Sequence, residues 1–476
     1  MFQKRKWTFL ILLVLSVDVF ASVRNAEVIY QRARGNRDSY LQIAEELIDS
    51  GFYYSSIPFV KEYLNLSKSK KTTKLKLDYI LEKIVSYVGV KQFEILPHNI
   101  LKNSSTPTMR FIRAKKYFRK GKYSLALKML QSSISSSHPI HPFALQLEGS
   151  IYSIQGKHKL SMQAFDQCLS SARKRIFSTD NDYGKKQLEI NEEYCKIGKA
   201  RTYFAAKLYE KADAEYGEFP KNSHIWPEIL LEEAWTSFYL KTYNRTLGKL
   251  VTYKAPLLDH YFKPEVYVLR SLSYFEMCLY DDATREIETF YKKYLAPSKW
   301  LKKYLKANGT RYKTYYEAAI NYLNGNLRTS PILLTLLGDI TKRTAYGELM
   351  DSYLRGRKEI DLVKELPEVK LKRVLVENLR TSLRIQRDLI GAYVRKALLS
   401  YYQNIYKTFE DMSYIKLEML SHRKAKLYQF ENDLDRSRGD INYLSRKGHQ
   451  YFWSFNQEFW VDELGDYVFA LKSECK

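Results

Sequence analysis

Seven times along this chain a small residue is followed nine residues later by an aromatic, a histidine or a leucine, usually with a second small residue three further on. Ala114, Tyr123 and Ala126 form one set; Ala200, Tyr209, Ala212 and Ser271, Tyr280, Ala283 form two more. Ala234, Tyr243, Thr246 and Gly149, His158, Ser161 are looser copies, and Ala44, Tyr53, Ser56 and Ala318, Leu327, Ser330 the faintest. Residues three apart share a helix face, which puts Ala114 and Tyr117 on one helix and Tyr123, Ala126 and Leu130 on the next. Gly121 between them permits the left-handed cap that ends the first helix. Paired small residues let two backbones approach closely, and the tyrosines fill the space beside them. Hairpins of this kind must stack to bury their apolar faces, so the spacing predicts an all-α chain.

The same order recurs from Ala200 to Tyr216, closed by Pro220, and from Ser271 to Ile287, closed by Pro297. It resembles the tetratricopeptide repeat family. That motif has small residues at its eighth and twentieth places, aromatics at its eleventh and seventeenth, and a proline near its end. Counted from Pro107, those places hold Ala114, Tyr117, Tyr123 and Ala126, with Pro139 one place late. The resemblance spans roughly residues 36–335 and implies a TPR-like α-solenoid that scaffolds protein–protein interactions. The seventeenth-place residues stand at 53, 123, 158, 209, 243, 280 and 327, at intervals of 70, 35, 51, 34, 37 and 47. The interval of 70 points to a degenerate repeat near Tyr79–Gln92, and that of 51 to an insertion, for which Lys174–Gln187 is polar and turn-rich.

The N-terminus has a basic start (Lys4, Arg5, Lys6), an apolar stretch from Trp7 to Val17 and Val19-Phe20-Ala21 in the small-x-small style of a cleavage site. This is the grammar of an export signal cleaved after Ala21. The apolar stretch is short for a bilayer span, and Asp18 interrupts it. The expected location is therefore the periplasm. Formal net charge is +25, of which the leader contributes +2 (three basic residues less Asp18). The remainder favours protein partners in the cell envelope or an anionic cell-wall or membrane surface, and export argues against nucleic acid. The four cysteines, Cys168, Cys195, Cys278 and Cys475, fit no metal motif. Cys168 and Cys195 fall on helices expected to be neighbours, where a disulfide and a pair of buried thiols are both compatible with the spacing.

After Pro297 the repeats fade, and Pro367 precedes a helical run from Leu371 to about Leu434. Val376, Leu379, Leu383, Ile390, Tyr393 and Ala397 follow a seam with Gln386 as its polar exception. Leu398, Tyr402, Ile405, Phe409 and Met412 continue it in a shifted register, as in a coiled coil or helical hairpin with a discontinuity near Ala397. Arg373, Arg380, Arg384 and Arg387 form a basic stripe on this run. YFWSF and YVFALKS in the last residues read as short strands of a β-hairpin-like cap. The expected divisions are a signal peptide at 1–21, repeats at 22–335, long helices at 336–448 and an aromatic tail at 449–476. The stretch His449–Cys475 is similar to the ends of exported repeat proteins of bacteria with envelope-spanning motility machinery, which implies a motility or transport role.

No catalytic, cofactor or metal motif is legible, and the eight histidines are scattered. Glu458, Asp462, Glu463 and Asp466 cluster in the tail, so a cell-wall-acting enzyme, or a cell-wall-binding protein, on a repeat scaffold is the rival to an adaptor. In the resembled family the fifth, ninth and twelfth places of each repeat face a concave groove. Here they hold Phe111, Lys115 and Phe118; Arg201 and Phe204; Leu231, Trp235 and Phe238; and Val268, Leu272 and Phe275. These residues are either a partner-binding groove for a peptide with hydrophobic anchors and an acidic flank, or core.

Overall fold

The computed structural model describes residues 23–32, 36–66, 73–131, 134–179, 182–223, 225–258, 260–367, 370–427, 444 and 451–475. The leader assigned to residues 1–21 lies outside them, as do residues 428–434 of the expected long run and residues 449–450 and 476 of the expected tail. The chain is all-α. Its contacts divide it into two compact units. One comprises the residues up to Cys195 with Gly347–Ile390, the other Lys196–Tyr346 with Gly391 onward. The divisions do not follow the boundaries expected at 335 and 448, because later residues such as Val363, Leu371 and Leu379 pack into the core of the first unit.

The first unit begins with α1 (residues 23–32), α2 (Arg37–Asp49), α3 (Tyr53–Leu66), α4 (Lys74–Val88) and the single turns α5 (Lys91–Glu94) and α6 (His98–Leu101). It continues with α7 (Pro107–Arg119), α8 (Tyr123–Leu130), α9 (His141–Ile154), α10 (His158–Phe177) and the start of α11 (Asp182–Ala205). In the second unit follow α12 (Tyr209–Gly217), α13 (Trp226–Tyr239), α14 (Tyr243–Val251), α15 (Glu265–Glu276), α16 (Tyr280–Asn308), α17 (Tyr312–Leu323) and α18 (Pro331–Lys342). Two further helices, α19 (Thr344–Glu365) and α20 (Lys370–Leu427), contribute to both units.

The hairpins share one turn. Gly51, Gly121, Gly156, Lys207, Lys241, Cys278 and Gly325 all have positive φ, between 60° and 81°, and each stands two residues before one of the seven recurrent residues. The closing bonds recur as well: Gly121 N–H donates to Phe118 O (2.9 Å) and Lys122 N–H to Tyr117 O (3.0 Å), and the same pair closes the turns at 51, 156, 207, 241, 278 and 325. Both small residues of each set are buried, except Ser330 in the faintest copy. At Gly149 a methyl group would meet the Phe165 ring at 2.9 Å, so the small residue there is a packing requirement.

Three local expectations are corrected. Lys174–Gln187 is not a loop insertion, because α10 runs to Phe177 and α11 starts at Asp182, so two helices are simply lengthened. Pro297 does not end a repeat but lies inside α16. Leu327 does not begin a helix, since α18 starts at Pro331.

Helix α20 is continuous for 58 residues, with no break at Ala397. Its buried line differs from the expected seam: Leu371, Leu375, Leu379, Leu383 and Ile390, then Val394, Leu398, Tyr401, Ile405 and Met412. Val376, Tyr393 and Tyr402 lie beside that line, half-buried. In the first unit the line joins the core of α2, α3 and α4. Buried Gln386 donates to Leu349 O (3.1 Å), which explains the polar exception. Carboxylates from distant helices cap two N-termini there, consistent with the helix dipole. Glu27 accepts from Leu371 N–H (2.7 Å), and Glu359 accepts from Tyr54 N–H (2.9 Å), Ser55 N–H (2.8 Å) and Ser55 Oγ–H (2.7 Å).

The tail forms two short strands, β1 (Trp453–Ser454) and β2 (Tyr467–Val468), at the expected places. They pair in parallel, Trp453 with Tyr467, and are therefore not a hairpin. The tail docks on α14 of the second unit. Asn244 brackets Leu471 with two bonds of 3.0 Å, Gly465 N–H donates to Thr252 Oγ1 (3.0 Å), and Cys475 is disulfide-bonded to Cys278.

Candidate interaction surface

The eleven residues expected to line one groove divide between the two units. On α7, Phe111 is core beside Ala114, Ala126 and Leu130, and Phe118 packs against the same cluster. The Lys115 ammonium lies 5.4 Å from the Phe111 ring centroid, and burial holds its pKa below the ordinary lysine value, with Glu94 opposing. It is not a solvated charge at a groove mouth.

In the second unit, Leu231 and Val268 are buried, and Leu231 forms a core with Ala234, Leu250, Val266 and Leu269. Leu272 is half-buried. The Phe275 ring packs edge-on to His422 of α20 at 5.4 Å, so the long helix shields it. Arg201 is exposed, but Glu232 answers its charge in a bidentate pair, Nη2 to Oε1 at 2.7 Å and Nε to Oε2 at 2.9 Å. The expected acidic flank of a ligand therefore has no free guanidinium to meet there.

What remains is a row of rings. Tyr209 at the start of α12 stacks on Tyr239 at the end of α13, with centroids 4.9 Å apart and planes 5° apart. Phe204 packs edge-on to both, at 5.5 and 5.6 Å. Trp235 lies 6.0 Å from Tyr239 and 5.7 Å from Phe238, which in turn lies 5.4 Å from Tyr243. Tyr239 is 47% exposed, and Phe204, Trp235, Phe238 and Tyr243 are half-buried. Carboxylates border the row. Glu265 accepts from Trp235 Nε1–H (2.8 Å) and Glu276 from Tyr243 Oη–H (3.4 Å), while Glu232 holds Arg201. Burial, then Glu276, raises the Tyr243 pKa above the ordinary tyrosine value. Tyr239 and the bordering acids escaped sequence reasoning because Tyr239 falls one residue off the predicted stripe and meets its partner ring only through the adjacent hairpin.

The other candidates disperse. Arg373, Arg380 and Arg384 are exposed, but Arg380 lies 3.8 Å from Glu377 and Arg387 lies 2.8 Å from Asp388. In the tail, Asp466 pairs with Lys221 at 2.7 Å, and Lys221 also donates to Asp462 O, so part of the acidic cluster fastens the tail. His138 donates from Nε2 to Asp78 (3.1 Å) and accepts at Nδ1 from Ile140 N–H (3.2 Å), which spends both ring nitrogens on structure. Among the described residues no group of three or more His, Cys, Asp or Glu could hold a metal ion. Cys168 and Cys195 are disulfide-bonded, with Cα atoms 6.2 Å apart. The second bond, Cys278 to Cys475, joins residues 197 apart, a separation no local pattern signals. The chain matches no known protein-family model and no curated protein.

Proposed function

We propose that the chain is a scaffold of tetratricopeptide-repeat type, exported to the periplasm, that acts as a non-enzymatic adaptor in a cell-envelope assembly serving motility or transport. The equivalent turns and the buried small residues support the repeat reading, and the N-terminal grammar supports export. Helix α20 serves as an internal brace, since its apolar line is buried by the chain's own helices.

The observation that carries the adaptor reading is the ring row of α11 to α14, which keeps large aromatic surface open on a scaffold. With Glu265 and Glu276 beside it, this face suits a partner segment with aromatic or aliphatic anchors and a basic flank, in contrast to the acidic flank expected from Arg201.

Affinity capture with Tyr239→Ala and Trp235→Ala tests the proposal. At least a tenfold loss of partner capture is expected, with the melting temperature of Tyr239→Ala unchanged because its ring is half outside the fold. Undiminished capture by both variants refutes the site. Release of soluble fragments from purified cell wall, lost on Glu458→Gln or Glu463→Gln, would establish the rival wall-acting enzyme instead.

A further inference from the structure

Helix α16 is divided by charge. Its first turns carry Asp281, Asp282, Glu286 and Glu288. From Thr289 to Tyr316 there is no acidic residue in 28, while Lys292, Lys293, Lys299, Lys302, Lys303, Lys306, Arg311 and Lys313 supply eight positive charges. A helix with its acids first and its bases last suits its own dipole, but that effect acts only within the terminal turn. It does not account for a run that starts at Lys292, four turns before the end.

The geometry concentrates this charge. Lys292, Lys299, Lys303 and Lys306 follow at steps of seven, four and three, which places them within an arc of about 60° along roughly 21 Å of helix. Phe290, Tyr294 and Leu301, the buried residues of this segment, fall on the opposite side. The four lysines therefore point outward, and all are exposed. Among the described residues none of the four has an acidic partner, unlike Arg380 and Arg387 of α20. Two exposed apolar residues, Leu295 (46% exposed) and Ala296, flank the row.

We infer that the outer face of α16, centred on Lys292, Lys299, Lys303 and Lys306, is a docking surface for an anionic phospholipid bilayer. The row is exposed along one face of the helix and is built of lysines alone. Lysine is a mobile, strongly hydrated point charge that attracts a field of phosphates without fixing one geometry, whereas a site for a single phosphate group favours the arginine fork. Leu295 and Ala296 add shallow apolar contact at the headgroup level. The surface is separate from the ring row and does not depend on the partner assigned to it.

Vesicle co-sedimentation tests the inference, using the purified protein with phosphatidylcholine vesicles with and without phosphatidylglycerol. Each basic residue near an anionic membrane contributes about a fivefold factor in partitioning. Replacing the four lysines by Gln should therefore lower binding to the anionic vesicles by a few hundredfold, and Lys299→Gln with Lys303→Gln by about 25-fold. Binding should weaken with salt as the Debye length shortens. The control replaces Arg373, Arg380, Arg384 and Arg387 by Gln, which removes the same net charge elsewhere, and should retain most of the affinity. Equal losses in the α16 and α20 variants, or no preference for phosphatidylglycerol, overturn the inference. So does tight binding of polyphosphate or DNA without vesicle binding.

Discussion

Gly248 lies in the middle of α14, where alanine would ordinarily stabilise the helix by about 0.5–1 kcal/mol. In this fold the tail reverses that sign. A methyl group at 248 would overlap the Tyr467 carbonyl and lie 2.8 Å from Val468 Cα. Both belong to the backbone and cannot swing aside, so Gly248→Ala must lift β2 from the helix. Docking keeps Leu464, Tyr467 and Val468 buried, at 4%, 1% and 0% exposed. At about 1.5–3 kcal/mol per buried side chain, the three are worth roughly 4.5–9 kcal/mol, an upper estimate because the released segment still buries some of that surface. Entropy regained by the released segment offsets about half of that, and the helix gain removes up to about 1 kcal/mol more. The expected net loss is about 2–3 kcal/mol, read from urea unfolding. In a protein ending at residue 448 the same substitution should instead stabilise by about 0.5–1 kcal/mol. A change of the same sign in both backgrounds would refute the docking argument, because only coupling to the tail can reverse it.

Three further outcomes follow from a buried carboxyl group and the two disulfides. Burial pushes Glu359 up to about 7 from an ordinary 4.5, against the hydrogen bonds from Ser55 and Tyr54. Because its folded pKa is raised, its contribution to stability is complete below pH 4.5 and lost as pH rises through 7, a decline of at most about 3 kcal/mol. Glu359→Gln should flatten the stability profile between pH 4.5 and 8, and an unchanged slope contradicts the assignment. Peptide mapping without reductant should recover Cys168 linked to Cys195 and Cys278 linked to Cys475. Cys168→Ser, opening a loop between residues 27 apart, should cost roughly 3 kcal/mol.

Local features were readable in the sequence where the physics is local. The hairpin turn at Gly121 is closed by hydrogen bonds within five residues, so a glycine two places before Tyr123 announces it. The same turn at Lys207, Lys241 and Cys278 carries no glycine, and only the spacing of the flanking small residues reveals it. For the candidate surface, sequence spacing found Phe204, Trp235 and Phe238 but missed Tyr239, Glu232 and Glu265. Which ring stays open, and which charge is already answered, depends on the next hairpin.

By itself the sequence determined that the chain is helical and where its hairpins turn, because helix periodicity and left-handed caps act over a few residues. Tertiary structure decided the rest. Shifting the buried line of α20 from Val376 to Leu375 required knowing what α20 packs against, since one residue turns a side chain by about 100°. The parallel pairing of β1 with β2, the seat of the tail on Gly248 and the bond from Cys278 to Cys475 join segments separated by up to 220 residues (Gly248 to Val468). Burial and pairing are properties of neighbours in space, and over such separations chain order does not specify who those neighbours are.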